Sequence, residues 1–191
     1  MPNFSRFNKA HQKYSFHPNS SEFVKKEAFE KIRANIEYLN FANDIKSIMI
    51  TSSSPNEGKS TIAYNIALAI ASSGKKTLLM DADMRIPVLH RNFGIVNDVG
   101  LSDAILTPDD YQQTIQSTEY ENLDFMPAGA TPPNPSILLS SKNMEIILAN
   151  LQQDYEYIII DTPPILAVSD AVSLCKNVNA VLFVAKKEVL L

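Results

Sequence analysis

The chain has 191 residues, enough for one domain with a single buried core. Apolar residues make up 45% and charged residues 20%, the balance of a soluble globular protein, and a net charge of -4 gives no reason to expect nucleic acid as a partner. One cysteine, Cys175, and three scattered histidines, His11, His17 and His90, exclude an internal disulfide and do not suggest a zinc site. The Ala/Val/Leu context of Cys175 predicts a buried apolar thiol. No apolar run approaches the roughly 18 residues that span a bilayer, and no signal peptide opens the chain. A cytoplasmic protein is expected, with any membrane association supplied by a partner.

In chain order, residues 1–21 are polar and aperiodic and read as a flexible arm. Over residues 22–41, Phe29, Ile32, Ile36 and Leu39 form a helical stripe, with Lys, Arg and Glu on the other face. Residues 47–51 read as a buried strand and residues 59–73 as a helix stopped by Gly74. A second strand, 77–80, ends at Asp81, and a loop with short helices fills 82–120. A third strand, 123–126, runs into the proline-rich turn "PAGATPPNP"; a helix follows at 141–153. The strand 157–160 ends at Asp161, and a last strand covers 180–185. Short apolar strands alternating with helices predict an α/β domain over residues 22–191, with a mainly parallel sheet covered on both faces.

The joint between the first strand and its helix reads "SSSPNEGKST", residues 52–61. Backbone N–H groups that open directly into a helix N-terminus form an anion site. Lys59 adds a mobile positive charge for phosphates, and the Ser60 hydroxyl is a Mg²⁺ ligand in such loops. The pattern is GxxxxGK[ST] with Ser53 in place of its first glycine; Gly58 allows close backbone approach, and Asn56 tolerates a positive φ. The nucleotide-contacting segment is therefore Ser54, Pro55, Asn56, Glu57, Gly58, Lys59, Ser60 and Thr61. A chance Gly-Lys-Ser is disfavoured because the motif follows a strand and precedes a helix. "LLMDADMR" places Asp81, Asp83 and Arg85 beyond the second strand, and "IIIDTPP" places Asp161 beyond a later one. Ligands in open parallel sheets bind at the carboxyl ends of strands, so all three carboxylates share an edge with the loop. Crowded there, they call for a cation, and Mg²⁺ with ATP is the natural one. The fold expected is a three-layer sandwich of the P-loop NTPase type.

These motifs resemble those of the bacterial tyrosine kinases that regulate capsule and exopolysaccharide production. That family carries a loop of the form SSxPxEGKST, a second motif of three apolar residues then DxDxR, and a strand ending DxPP; all three stand here at 52–61, 78–85 and 158–164. "EAFEKIRANIEY" at 27–38, "GLSDAI", "PAGATPPNPSILL" and "DTPPILAVSDA" also look like family segments. The resemblance implies an ATP-dependent kinase for protein tyrosine. It implies that Lys59 holds the phosphates, and that Ser60, Asp83 and Asp161 organise Mg²⁺. Asp81 would be the base or orienting group for the tyrosine hydroxyl, and Arg85 a second charge near the phosphates. It further implies a membrane adaptor of the polysaccharide co-polymerase type as activator, protein tyrosine substrates, and a homo-oligomer through the 22–41 helix.

Two departures from the family pattern stand out. In the helix motif Glu-x-x-Arg-x-x-Arg, Glu27 and Arg33 remain but Glu30 replaces the first arginine. The C-terminal tyrosine cluster is missing: the last tyrosine, Tyr157, falls in a strand, and Tyr14 alone lies in a loose segment. A C-terminally incomplete kinase domain is expected, with an exposed apolar last strand and little self-phosphorylation. Two other readings are an ATPase switch of the MinD/ParA type and a catalytically weak kinase remnant. The switch proteins carry an early loop lysine, where this chain has Ser53-Ser54-Pro55.

Overall fold

The computed structural model describes residues 21–186. The predicted arm, Tyr14 within it, and the last five residues lie outside that range. Helix α1 spans Ser21–Asn43, followed by β1 (Ser47–Ser52), α2 (Lys59–Ser72) and β2 (Thr77–Asp81). Two short 3₁₀ helices, Leu89–Phe93 and Pro108–Thr114, flank α3 (Leu101–Leu106). Then come β3 (Gln116–Ser117), β4 (Leu123–Met126), α4 (Pro135–Leu139), α5 (Lys142–Asp154), β5 (Tyr157–Asp161), α6 (Asp170–Cys175) and β6 (Ala180–Val184).

The sheet order is β3-β4-β2-β5-β1-β6, parallel throughout except for the β3–β4 pair. Successive strand residues point to opposite faces, and the core divides accordingly. Met49, Leu78, Met80, Ile158 and Ile160 face α3 to α6, whereas Ile48, Ile50, Leu79 and Ile159 face α1 and α2. The result is the three-layer sandwich expected from the strand–helix alternation. In α2 the buried residues Ala63, Ile66, Ala67 and Ile70 repeat at helical spacing, and the alanines let the helix lie close to the sheet. Gly74, at φ 87°, ends that helix by donating to the Ala71 carbonyl at 2.9 Å.

Three local expectations change. Leu39 is 52% exposed, because a 3.6-residue period carries the contact stripe from Ile36 to Asn40, whose Nδ2 donates to the Tyr157 hydroxyl at 2.9 Å. Cys175 is exposed rather than buried: Ala171 and Leu174 hold α6 to the core, and the next position turns outward. The segment read as loop and helices contains β3, two polar residues that pair antiparallel with β4 through Gln116–Phe125 and Ser117–Asp124.

Gly100 binds the α3 loop to the end of β4 by close approach. Its backbone is extended, yet a Cβ there would collide with the Pro127 carbonyl and the Gly129 amide. Gly100→Ala should therefore destabilise the domain by about 1–3 kcal/mol, a fall of several degrees in melting temperature. A wild-type melting curve for that variant would show that the loop yields freely.

Candidate functional site

The site begins where β1 and β5 end side by side. Beyond Asp161 the chain clasps β1: Thr162 donates to the Ile50 carbonyl from both N–H (3.1 Å) and hydroxyl (2.9 Å). Thr51 Oγ1 donates to the Pro163 carbonyl at 3.0 Å, and the Ile165 N–H to the Ser52 carbonyl at 2.9 Å. The segment after Asp161 thus anchors the root of the phosphate loop.

The loop itself turns on two left-handed residues, Asn56 (φ 63°) and Gly58 (φ 91°). Ser53, at the position of the pattern's first glycine, is not among the positive-φ residues, which is why serine serves there. Glu57 folds back into the loop, accepting from the Ser54 N–H at 2.9 Å and the Ser53 hydroxyl at 3.0 Å. The Ser54 N–H holds its carboxyl below the usual range, with the Ser53 hydroxyl contributing. Glu57 is therefore an internal brace of the loop. Gly58 forms the N-cap of α2, and the space its missing Cβ would enter is open. Lys59, the first residue of α2, is 8% exposed and has no hydrogen-bond or ion-pair partner among the described residues. Ser60 is half-buried and Thr61 exposed.

Facing the loop are the acidic strand ends. Asp81 and Asp161 are register partners on β2 and β5, and each is 1% exposed. Asp81 accepts the Asp83 N–H at 3.1 Å and the Leu89 N–H at 3.3 Å, so both its oxygens close the turn after β2. Asp83 Oδ1 accepts the N–H groups of Arg85 (3.3 Å) and Ile86 (3.0 Å). Burial holds the Asp81 carboxyl well above the usual range, and the Asp161 charge adds to the rise. Burial also raises Asp83. Asp161 is pushed up to about 7 by burial, against the pull of the Ser60 hydroxyl and the Lys59 ammonium. Buried carboxylates of like charge disfavour ionisation together unless a cation joins them.

The residues fit such a cation. Asp161 Oδ1 is buried and has no hydrogen-bond partner, an orphaned acceptor of the kind a metal or its bound water satisfies. Among the described residues no group of three or more His, Cys, Asp or Glu could hold a metal by itself. Mg²⁺ keeps several waters and is bound by one or two carboxylates together with substrate phosphates.

Arg85 is engaged by a buried acid. Its guanidinium donates from Nε to Asp170 Oδ2 at 2.8 Å and from Nη2 to Asp170 Oδ1 at 3.0 Å. Sequence reasoning passed over Asp170, which is fully buried at the start of α6. Its signal was a lone acid in the apolar segment "PILAVSDAV", where a buried carboxylate demands a partner.

A strand, a loop closed by two left-handed residues, a helix carrying Lys59 and Ser60, and acids at two neighbouring strand ends define a P-loop nucleotide-binding α/β domain. Residues 45–189 match the family model described as AAA domain. The chain belongs to the bacterial tyrosine-kinase family. It is 46% identical over 145 residues to tyrosine-protein kinase YwqD of Bacillus subtilis, covering 76% of this chain and 61% of the relative. It is 42% identical to the crystal structure of the chimerical protein CapA2B2, with a TM-score of 0.80 over 87% of this chain and 72% of that one. The septum site-determining protein MinD of Pyrococcus horikoshii, complexed with Mg-ADP, is more distant, at 25% identity and a TM-score of 0.62 over 73% and 57% of the two chains. The chain spans about three-fifths of the length of YwqD and of the putative tyrosine-protein kinase CapB of Staphylococcus aureus, and 22% of that of tyrosine-protein kinase etk of Escherichia coli.

Proposed function

We propose that this domain transfers the γ-phosphoryl group of ATP to the hydroxyl of a protein tyrosine. The observation that carries the reading is the orphaned, buried Asp161 Oδ1, set among three carboxylates whose ionisation burial opposes, at the edge that carries Lys59. In this reading the loop N–H groups between Ser54 and Thr61 bind the β- and γ-phosphates, and Lys59 neutralises their charge. Ser60, Asp83 and Asp161 would hold Mg²⁺, which when bound would supply charge neutralisation for the transfer. Asp81, with its oxygens fixed by two N–H groups, orients the acceptor side of the site. Phosphoryl transfer asks mainly for positioning and charge neutralisation, and these groups supply both.

A membrane adaptor of the polysaccharide co-polymerase type is the activator we propose; no helix among the described residues is long and apolar enough to cross a membrane. Self-association is proposed through α1, where Glu30 and Glu37 occupy Arg33 at 2.9 and 2.8 Å while Tyr38 and Phe41 face outward. The switch reading is disfavoured by the loop, which has no lysine before Lys59.

Incubation with Mg-ATP and a tyrosine-bearing polypeptide, with and without the adaptor's cytoplasmic segment, tests the proposal. Phosphotyrosine that rises with the segment is the expected mass-spectrometric result. ATP hydrolysis with no phosphotyrosine in either sample would favour the switch and reject the kinase reading.

A further inference from the structure

One ion pair among the described residues joins an exposed side chain to a fully buried carboxylate, and it touches the acidic edge. Arg85 reaches across from the turn after β2 to Asp170, with side chains 41% and 0% exposed respectively. Two parallel N–H···O bonds make this a fork-to-fork pair, the geometrically specific kind. An ordinary surface pair contributes little, but removal of one partner from a buried carboxylate leaves an uncompensated charge. Asp170 stands on a firm base, since Ala171 and Leu174 beside it are fully buried in the core and α6 packs on α4.

The same residue that Asp170 grips also orients Asp83. The Arg85 N–H and the following Ile86 N–H both donate to Asp83 Oδ1, at 3.3 and 3.0 Å. A continuous chain thus runs from Asp170 through the Arg85 guanidinium and backbone to the Asp83 carboxyl. Asp83 in turn lies within the field of Lys59. We propose that Asp170 is a positioning residue: by holding Arg85 it fixes the turn that aims Asp83 at the metal–nucleotide site. This rests on the nucleotide function proposed above. In this arrangement Arg85 acts as a strut between α6 and the turn, and its effect on the phosphates passes through Asp83.

The full chain carrying Asp170→Asn, Arg85→Ala or both tests the proposal, with folding checked by circular dichroism. ADP affinity is measured by calorimetry in excess Mg²⁺ and again in EDTA. Each single change should weaken Mg-ADP binding about tenfold and leave metal-free ADP binding unchanged, and the double variant should be no weaker than the singles, as for residues acting as one unit. Asp170→Asn deletes the buried charge that Arg85→Ala would leave unpaired, so it should fold even if Arg85→Ala does not. Wild-type Mg-ADP affinity in either folded variant would overturn the proposal. So would an equal loss with and without metal, which would place Arg85 directly on the phosphates. Failure of the wild-type chain to bind Mg-ADP under either condition would instead reject the nucleotide site itself, and the strut with it.

Discussion

Lys59→Met should lower Mg-ADP affinity at least about 100-fold, a loss of roughly 3 kcal/mol, as expected when charge-assisted hydrogen bonds to phosphate are removed. Lys59 begins α2 just after Gly58, an N-cap that has no side chain to cap the helix, and it is almost fully buried with no hydrogen-bond or ion-pair partner among the described residues. A lysine in that state is positioned for a ligand that the protein does not itself provide. Methionine keeps the stem and its packing while deleting the ammonium, so the loss reports charge rather than collapse of the loop. The variant should fold, and calorimetry should find no measurable heat at nucleotide concentrations that saturate the wild type. Unchanged affinity would remove Lys59 from the site.

Asp161→Asn should move stability and ligand binding in opposite directions. A carboxyl that titrates at about 7 in the folded chain and near 4 in the unfolded one costs the folded state roughly 4 kcal/mol once both are ionised. The sign follows from proton counts. Between those values the folded state binds more protons, so the contribution of Asp161 is fully present below about pH 4 and is lost as pH rises through about 7. Asparagine cannot ionise. The nucleotide-free variant should therefore match the wild type near pH 4 and melt roughly 8–16 °C higher near pH 8, at about 2–4 °C per kcal/mol for a domain of this size. Other carboxylates, such as Glu57 and Glu156, titrate with the opposite sign, but they cancel in the difference between the two proteins. The same variant should lose the thermal stabilisation that Mg-ADP gives the wild type. A less stable variant at pH 8 would mean that Asp161 is already satisfied within the protein.

Most of the site was legible because its logic is local. A strand, "SPNEGKS" and an alanine-rich helix fix the loop without reference to distant residues, and the positive φ at Asn56 follows from the side chain's own tolerance. The strand-end acids Asp81 and Asp161 were legible for a related reason: in a parallel sheet every strand finishes on the same edge. What escaped was set by contacts far apart in sequence. The Arg85–Asp170 pair joins residues 85 positions apart, and no periodicity links them. Glu57 had no sequence signal distinguishing a loop brace from an exposed acid, and two polar residues are too few to announce β3. Cys175 and Leu39 were misplaced for one reason: an apolar neighbourhood does not say which side of a helix faces the core. The strand order β3-β4-β2-β5-β1-β6 likewise depends on crossovers that local patterns do not encode.

The claim on which the rest depends is that the acidic edge is completed by a metal-bound nucleotide. Its most direct test is calorimetric titration of Mg-ADP into the protein at about pH 6.5, in buffers of different ionisation heat, which counts protons exchanged on binding. At that pH Asp161 is largely protonated in the free protein, and a cation beside Oδ1 should drive its proton off. Release of about one proton per bound nucleotide is expected, falling to near zero in Asp161→Asn if that variant is driven to bind at high ligand concentration. Tight binding by the wild-type protein with no proton release would contradict it, since the carboxylates would then stand apart from the bound metal and nucleotide.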